Sequence, residues 1–430
     1  MTGVSPGVEA VTTIRKIRRR ILPFLFLLYV VAYIDRANVA FVSAAMRADL
    51  GFDEAVFGFG TGIFFLGYFL LEIPGALIVE RWSARKWLAR ILVTWGLCTM
   101  LIATVQTPAQ FFGARFLLGI AEAGFFPGVI VYLTHWFPAE DRARALAGFA
   151  IAAPIALTIA APLSALILQI DALGLANWRW VFLLEGVPAV ILGIVTLFCL
   201  IDRPDQASWL TPQEKKWLSG KLAAGEPHAL NRQVWWRALL TRDIMLLTMA
   251  AFFANIAGYG FLLWLPNTLQ KTLSIAPLHA NLLSALPFAA AVIASLRMGR
   301  SSDVRGDRKG HACAAFIAGA ACLGLIAIPG QPAILSMVWI VLTGAAIYSW
   351  IPPFWALPGT LLGRDAAAAS VGFINSIGNL GGFVGPFLIG ALLAKGWSAA
   401  ASTAVLAFAY AIAAGLTWAV REPPASRPRS

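Results

Sequence analysis

Long apolar runs separated by short polar stretches make up most of the chain. A helix that crosses a bilayer needs about 20 predominantly apolar residues. Twelve runs come near that length, at 21–45, 56–79, 87–106, 111–136, 144–170, 179–201, 243–269, 280–298, 312–329, 333–357, 367–394 and 398–420. The pattern predicts an all-α membrane protein of twelve transmembrane helices. The division within 312–357 rests on Pro329-Gly330-Gln331-Pro332, a very short turn. The first run follows a basic cluster, Arg15 to Arg20, as the apolar core of a signal peptide does. It continues past Asp35-Arg36 to about Ala45, so it reads as an uncleaved first span.

The polar positions orient and divide the chain. Lys and Arg gather on the cytoplasmic side of membrane proteins. Arg36 and Arg115 fall within spans away from their cytoplasmic ends, and only Arg47, Arg179, Lys271 and Lys395 fall at the outer ends if the N-terminus is cytoplasmic. All other basic residues are then inside, which supports cytoplasmic termini and an even number of spans. The longest polar stretch, 202–242, separates a six-helix bundle over 1–201 from a second over 243–420, with a tail over 421–430. Within it Thr211 and Pro212 suit the start of a short helix. Trp209, Trp217 and Leu218 suit contact with the membrane surface.

Composition sharpens the class. Of 430 residues, 59% are hydrophobic and 13% charged, about half the roughly 25% of soluble domains. The net charge of +12 lies in short clusters between spans and forms no aromatic-interleaved basic surface, so nucleic acid is not expected as a partner. Cys98, Cys199, Cys313 and Cys322 fall in apolar runs without a CxxC pair and read as small core residues. His135, His228, His279 and His311 lie at span ends or in loops, which argues against a histidine proton relay within the membrane. No Ser/His/Asp, metal or phosphate-loop constellation is visible, so no enzyme activity and no metal or cofactor is expected.

The halves look related. Glu80-Arg81-Trp-Ser-Ala-Arg85-Lys86 follows span two, and Ser302-Asp303-Val-Arg-Gly-Asp307-Arg308-Lys309 follows span eight. Each places an acid at a helix end and a basic pair shortly after it. Such a parallel repeat is a transporter architecture. These loops resemble the signature loop of the major facilitator superfamily, although Ala76 and Ser83 stand where that pattern has glycines. In that fold the acids and bases cross-link helix ends and release them as the halves rock, a gating role the resemblance gives to Glu80, Arg81, Asp303 and Arg308. Four further stretches resemble the anion:cation symporter family: Tyr33-Ile-Asp35-Arg36-Ala-Asn38, Arg115-Phe-Leu-Leu-Gly119-Ile-Ala-Glu122-Ala-Gly124, Trp178-Arg-Trp180-Val-Phe-Leu-Leu-Glu185-Gly186 and Asn375-Ser-Ile-Gly378-Asn379. Phe125-Phe-Pro127-Gly128 and Asp202-Arg-Pro204-Asp-Gln-Ala-Ser-Trp209-Leu-Thr-Pro212 are similar to its bacterial tartrate-transporter branch.

An ionisable residue inside a spanning helix costs at least ~2.5–3.5 kcal/mol and is functional by default. Neighbours on a helix point about 100° apart, so Arg36 and Asp35 face different surroundings. Arg36 is assigned to the central cavity, where its planar fork suits a carboxylate. Asp35 is assigned to face span four, with Arg115 as partner. The bland alternative is an ion pair that merely fixes span one against span four. Arg115 and Glu122 are seven residues apart, close to two turns, and so share a helix face. Glu122, near the centre of span four among Ala, Gly and Phe, is the expected proton carrier, and Arg115 the cation that tunes Asp35 and Glu122. Its bland alternative is a permanently protonated acid that hydrogen-bonds a neighbouring helix. Glu72 and Glu185 read as structural, Glu72 satisfying backbone loosened by Pro74. The family resemblance implies that Tyr33, Tyr68, Trp355 and Asn375 complete the anion site; spacing alone leaves them as packing residues. Asn379, one turn from Asn375, joins them as a candidate. Gly378 to Pro386 reads as a packing run.

These residues point to a secondary active transporter that imports a small organic anion, a tartrate-like dicarboxylate or a hydroxy or sugar acid. The proton is the coupling ion, and alternating access is the expected mechanism. The alternative is a proton-coupled drug or metabolite exporter on the same fold. Its glycine-rich run is absent from span five, where Pro154 and Pro162 each follow an alanine. The expected setting is a bacterial inner membrane, with the bilayer and a small anion as partners and the chain as a monomer.

Overall fold

The computed structural model describes residues 6–138, 141–142, 145, 148–224, 239–362 and 364–421. In its first half the helices are α1 (Pro6–Phe41), α2 (Ser43–Leu50), α3 (Glu54–Arg81), α4 (Ala84–Ile102), α5 (Pro108–Glu122), α6 (Phe125–Thr134), α7 (Ala152–Ile167) and α8 (Asn177–Cys199). A short helix, α9 (Pro212–Ala224), lies in the connecting stretch. The second half holds α10 (Arg242–Leu273), α11 (Pro277–Leu283), α12 (Ala285–Arg305), α13 (Arg308–Ile326), α14 (Ala333–Ser349), α15 (Ile351–Leu361), α16 (Arg364–Asn379), α17 (Gly381–Ala394) and α18 (Ala399–Trp418).

Ten helical segments among the described residues are long and apolar enough to cross a membrane. The two other expected spans are α7, which is shorter, and α4, which carries Arg85, Lys86 and Arg90 in its first two turns. The helices form two bundles. In the first, α3 packs on α5, α4 on α8 and α1 on α7. In the second, α10 packs on α16, α17 and α18, α12 on α14 and α13 on α18.

Several spans differ from their expected form. The first begins at Pro6 rather than at residue 21. Its basic segment is amphipathic: Ile14, Ile17 and Ile21 are buried at helical spacing, while Arg15, Lys16, Arg19 and Arg20 stay exposed. The fourth is two helices rather than one, parted at Ala123-Gly124. Gly124 adopts φ +84, a backbone that side chains other than hydrogen disfavour. A Cβ there would sit 3.3 Å from the Gly75 Cα, so the break also brings two backbones together. The tenth and eleventh are likewise divided, at Trp350 and Leu380.

Close helix crossings position everything else. A Cβ at Gly119 would lie 2.0 Å from the Phe64 carbonyl oxygen, locking α5 onto α3. In the second bundle a Cβ at Gly381 would lie 2.1 Å from the Phe252 carbonyl, and one at Gly385 2.2 Å from that of Ile256. Small residues let helices approach where lipid removes any hydrophobic drive between them. The run from Gly378 to Pro386 is therefore a packing run.

The bundles meet along α3 and α17, where Gly58 faces Gly390 and Gly62 faces Phe383. Polar links close the end away from the basic clusters. Glu54 pairs with Arg47 at 2.6 Å and with Lys271 of the second bundle at 3.4 Å. Asn281 donates to the Phe41 carbonyl at 3.0 Å.

The two loops that the sequence relates have matching local chemistry. Ser83 accepts from the Lys86 amide and starts α4, while Asp307 accepts from the Gly310 amide and starts α13. Each thereby satisfies an amide left free at a helix start. Asp303 pairs with Arg308 within the second bundle. The side chains of Glu80 and Arg81 lie outside the described residues.

Candidate functional site

The site grows from α1. Arg36 projects from it toward the bundle interface, its side chain 13% exposed. It donates to the Glu122 carboxylate on α5 and, at 3.2 Å, to the Tyr259 hydroxyl on α10. Three rings surround the guanidinium: Tyr33 at 5.2 Å, Tyr68 at 5.3 Å and Phe64 at 5.5 Å. A weakly hydrated planar cation is the group such rings hold best. Tyr259 in turn packs against Phe65 with ring centroids 4.3 Å apart. One cation thus links both bundles at the centre of the molecule.

Asp35 points elsewhere, as neighbours on a helix must. It accepts from Trp95 Nε1 at 2.6 Å and Thr99 at 2.8 Å, both on α4, and from Asn38 at 3.2 Å. The expected ion pair between Asp35 and Arg115 is not formed: no such pair lies within 4.0 Å among the described residues. Indole, hydroxyl and amide donors already occupy the carboxylate. Arg115 donates instead to the Thr61 carbonyl at 3.3 Å and lies 5.0 Å from the Phe64 ring. It acts on Asp35 and Glu122 through space. Its Nε and Nη1, the Arg36 Nε and the Glu122 Oε2 are buried without hydrogen-bond partners.

Two more buried acids flank this cluster. Glu185 accepts from Ser164 at 2.7 Å. Glu72 accepts from Asn375 on α16 rather than bonding to loosened backbone. Asn375 is thereby held across the interface, and Asn379 stands beside the same carboxylate. Trp355 is half-buried and packs edge-on against Phe354 at 5.7 Å. No hydrogen bond or ring contact among the described residues joins it to Arg36.

The sequence reading singled out the ionisable residues and missed most of their neutral partners. Trp95 and Thr99 are four residues apart in an apolar span, and so share a face; that spacing was the available signal. Tyr259 carried none, because its contact depends on how the two bundles meet.

The arrangement can bind an anion and exchange protons. A guanidinium between aromatic walls, held by one carboxylate, offers a carboxylate-shaped vacancy whenever that acid is neutral. The buried acids (Asp35, Glu72, Glu122 and Glu185) outnumber the buried cations (Arg36 and Arg115) by two. Uncompensated buried charge is costly, so the imbalance gives the first bundle room for protons.

Two helical bundles meeting at a central charged site, on helices of membrane-spanning length, define a multi-pass secondary transporter. A model described as Major Facilitator Superfamily matches residues 25–386 and again 247–430. The chain belongs to that family and is a membrane transporter, not an enzyme. It is 43% identical over 381 residues to a protein of Agrobacterium vitis named "Putative tartrate transporter", covering 88% of this chain and 87% of that one. It is 39% identical over 384 residues to the quinolone resistance transporter of Acinetobacter baumannii, covering 88% of each. Its fold is that of a D-xylose-proton symporter, with a TM-score of 0.74 at 16% identity over 93% of this chain and 97% of that one.

Proposed function

We propose that the protein imports a small organic anion together with protons by alternating access. The substrate is a tartrate-like dicarboxylate or a hydroxy or sugar acid. The single observation that carries this reading is Arg36 held by Glu122 at the bundle interface. A proton on Glu122 cancels its charge and releases the guanidinium, which then takes the substrate carboxylate. Loss of the proton restores the pair and expels the anion. Asp35 is the second proton site, and Arg115 sets the field around both acids. Tyr33, Tyr68, Asn375, Asn379 and Trp355 complete the substrate site. Glu80, Arg81, Asp303 and Arg308 gate the basic end.

The excess of Lys and Arg supports a cytoplasmic location for that end and for both termini. The bacterial relatives support an inner-membrane setting. The bundles are taken to divide at 1–201 and 243–420, with 202–242 as linker and 421–430 as tail. The chain is taken to act as a monomer without cofactor. The likeness to a quinolone resistance transporter supports a second reading, proton-coupled export of drugs or metabolites.

Uptake of labelled organic anions into proteoliposomes under a pH gradient tests the first reading. The wild type should accumulate its anion. Glu122→Gln should lose at least tenfold of gradient-driven accumulation while retaining exchange. Normal accumulation by Glu122→Gln would remove Glu122 from the coupling. Proton-driven movement of quinolones in inverted vesicles, with no anion uptake, would favour the exporter.

A further inference from the structure

Glu72 has no part in the cycle just described, yet it belongs to the same buried cluster of side chains. It lies one turn past Tyr68 on α3, so both side chains leave the same face. Tyr68 packs beneath the Arg36 guanidinium, and Glu72 itself feels the Arg36 charge. Across the interface it holds Asn375, with Ser376 and Asn379 close by. Glu72 is 3% exposed, and its Oε2 makes no close hydrogen bond. Ser376, 1% exposed, turns its hydroxyl toward the same carboxylate, as Asn379 does its amide.

The cluster therefore has two poles of unlike chemistry. Arg36 offers donors only. Glu72 offers a carboxyl acceptor flanked by an amide and a hydroxyl. Buried polar atoms without partners are few in native proteins, and each calls for an explanation. Here a bound hydroxyl supplies it. It can donate to Glu72 Oε2 and accept from both Asn375 and Ser376, which satisfies all three. A second carboxylate cannot. It sets acceptor against acceptor and charge against like charge, unless Glu72 has first taken a proton.

We propose that Glu72 is a specificity-determining residue: it accepts a hydrogen bond from a substrate hydroxyl and turns away a second carboxylate, so hydroxylated monocarboxylates bind in preference to dicarboxylates. This rests on the reading of Arg36 as the carboxylate site. Asn375 bonds one Glu72 oxygen, Oε1, and the arriving hydroxyl takes the other. A site built to bond a hydroxyl discriminates strongly against a ligand that leaves its polar groups unpaired.

Erythronate and meso-tartrate test this closely. They differ only in the last carbon, a primary alcohol in one and a carboxylate in the other. Binding is measured by calorimetry on the full chain in detergent, without a proton gradient. At pH 8 the wild type should bind erythronate at least tenfold tighter than tartrate. Glu72→Gln keeps an acceptor oxygen, removes the charge and adds donors; it should bring the ratio within about threefold, chiefly by tightening tartrate.

A second arm needs no variant. Acidification to pH 5.5 should narrow the wild-type ratio. The titratable and charged groups around Glu72 and Tyr68 are Arg36 on α1, Glu122 on α5 and Tyr259 on α10. A proton on Glu122 favours both ligands alike and cancels in the ratio, while α16 contributes amides and a hydroxyl. If neither ligand gives a calorimetric signal, a thermal-shift panel of matched monocarboxylates and dicarboxylates decides by which class stabilises the protein.

Tartrate equal to or tighter than erythronate, a ratio unchanged in Glu72→Gln and with pH, or stabilisation by dicarboxylates alone would overturn the proposal. Arg36→Gln separates the two readings. Loss of both ligands upholds the anion site whatever the ratio shows. Unchanged binding of both removes that site, and the proposal with it.

Discussion

Among the described residues, the first bundle carries the charges that cluster at the centre and the second faces them with neutral groups. Arg36, Arg115, Asp35, Glu72, Glu122 and Glu185 are all in the first half and mostly buried. Facing them, the second half presents Tyr259, Asn375, Ser376 and Asn379. The difference separates two tasks. Groups that gain and lose charge need partners of opposite sign close by, and those partners stay together through rigid-body motion only if one bundle holds them. Neutral amides and hydroxyls tolerate being parted and rejoined, because each can bond to water or substrate in the meantime. A transporter that rocks one half against the other therefore keeps its central ion pair on one side of the moving interface, and the pair that does cross it, Glu54 with Lys271, is partly exposed at one end.

Arg36→Ala breaks this comparison hardest. It strips Glu122 of its hydrogen-bonded partner and removes the cation that bonds Tyr259 of the second bundle. Truncating one member of a buried pair costs about 3–5 kcal/mol, moderated here by whatever proton Glu122 takes up. The expected result is a melting temperature lowered by several degrees and no detectable organic-anion binding by calorimetry. Retained binding would mean that the anion is recognised by the second bundle alone, and the division of tasks would fail.

A gentler cut lies at the interface itself. Tyr259→Phe removes the one described hydrogen bond that the second bundle makes to Arg36 and leaves the ring against Phe65 in place. A hydrogen bond of this kind is worth about 1 kcal/mol net, so anion affinity should fall roughly fivefold. Gradient coupling, which we assign to Glu122, should survive. An uptake assay that finds affinity intact but coupling lost would transfer part of the proton chemistry to the second half and blur the contrast.

How much of this was legible in the sequence follows the same line. Spans and their ionisable residues announce themselves, since a charge in an apolar run is conspicuous at any spacing. Partner choice is not conspicuous. Asp35 sits beside Trp95 and Thr99 rather than paired with Arg115 because helix rotation decides which donor reaches it first. The division of span four at Gly124 was hidden because Ala123 to Phe126 continue the apolar run, and only the close approach of Gly75 exposes the need for φ +84. Glu72 looked like a local repair beside Pro74. Its partner lies about three hundred positions away on another bundle, and no local pattern carries such a contact.

The smallest expected effect concerns which half owns the connecting stretch. Its first part leans on the first bundle. Trp209 stacks on Trp136 at 5.4 Å, and the Ser83 hydroxyl donates to Asp202 at 2.7 Å. Lys16 of α1 pairs with Glu214 of α9 at 3.0 Å. Partial burial alone would raise the Glu214 carboxyl, but the Thr211 amide and Lys16 outweigh it and hold it below its usual range. A carboxyl lowered in the folded state stabilises above its unfolded value and loses that contribution as pH falls through the folded one. The contact should therefore be whole at pH 7 and weaken from about pH 5 downward. Exposed pairs contribute only about 0.2–1 kcal/mol, so Glu214→Gln should speed amide hydrogen exchange in 212–224 by at most about fivefold at pH 7. Near pH 3 the wild type and the variant should converge. A variant that matches the wild type at pH 7 would leave the aromatic stack alone to hold α9, and an exchange rate that follows the second bundle instead would assign the stretch to the neutral half.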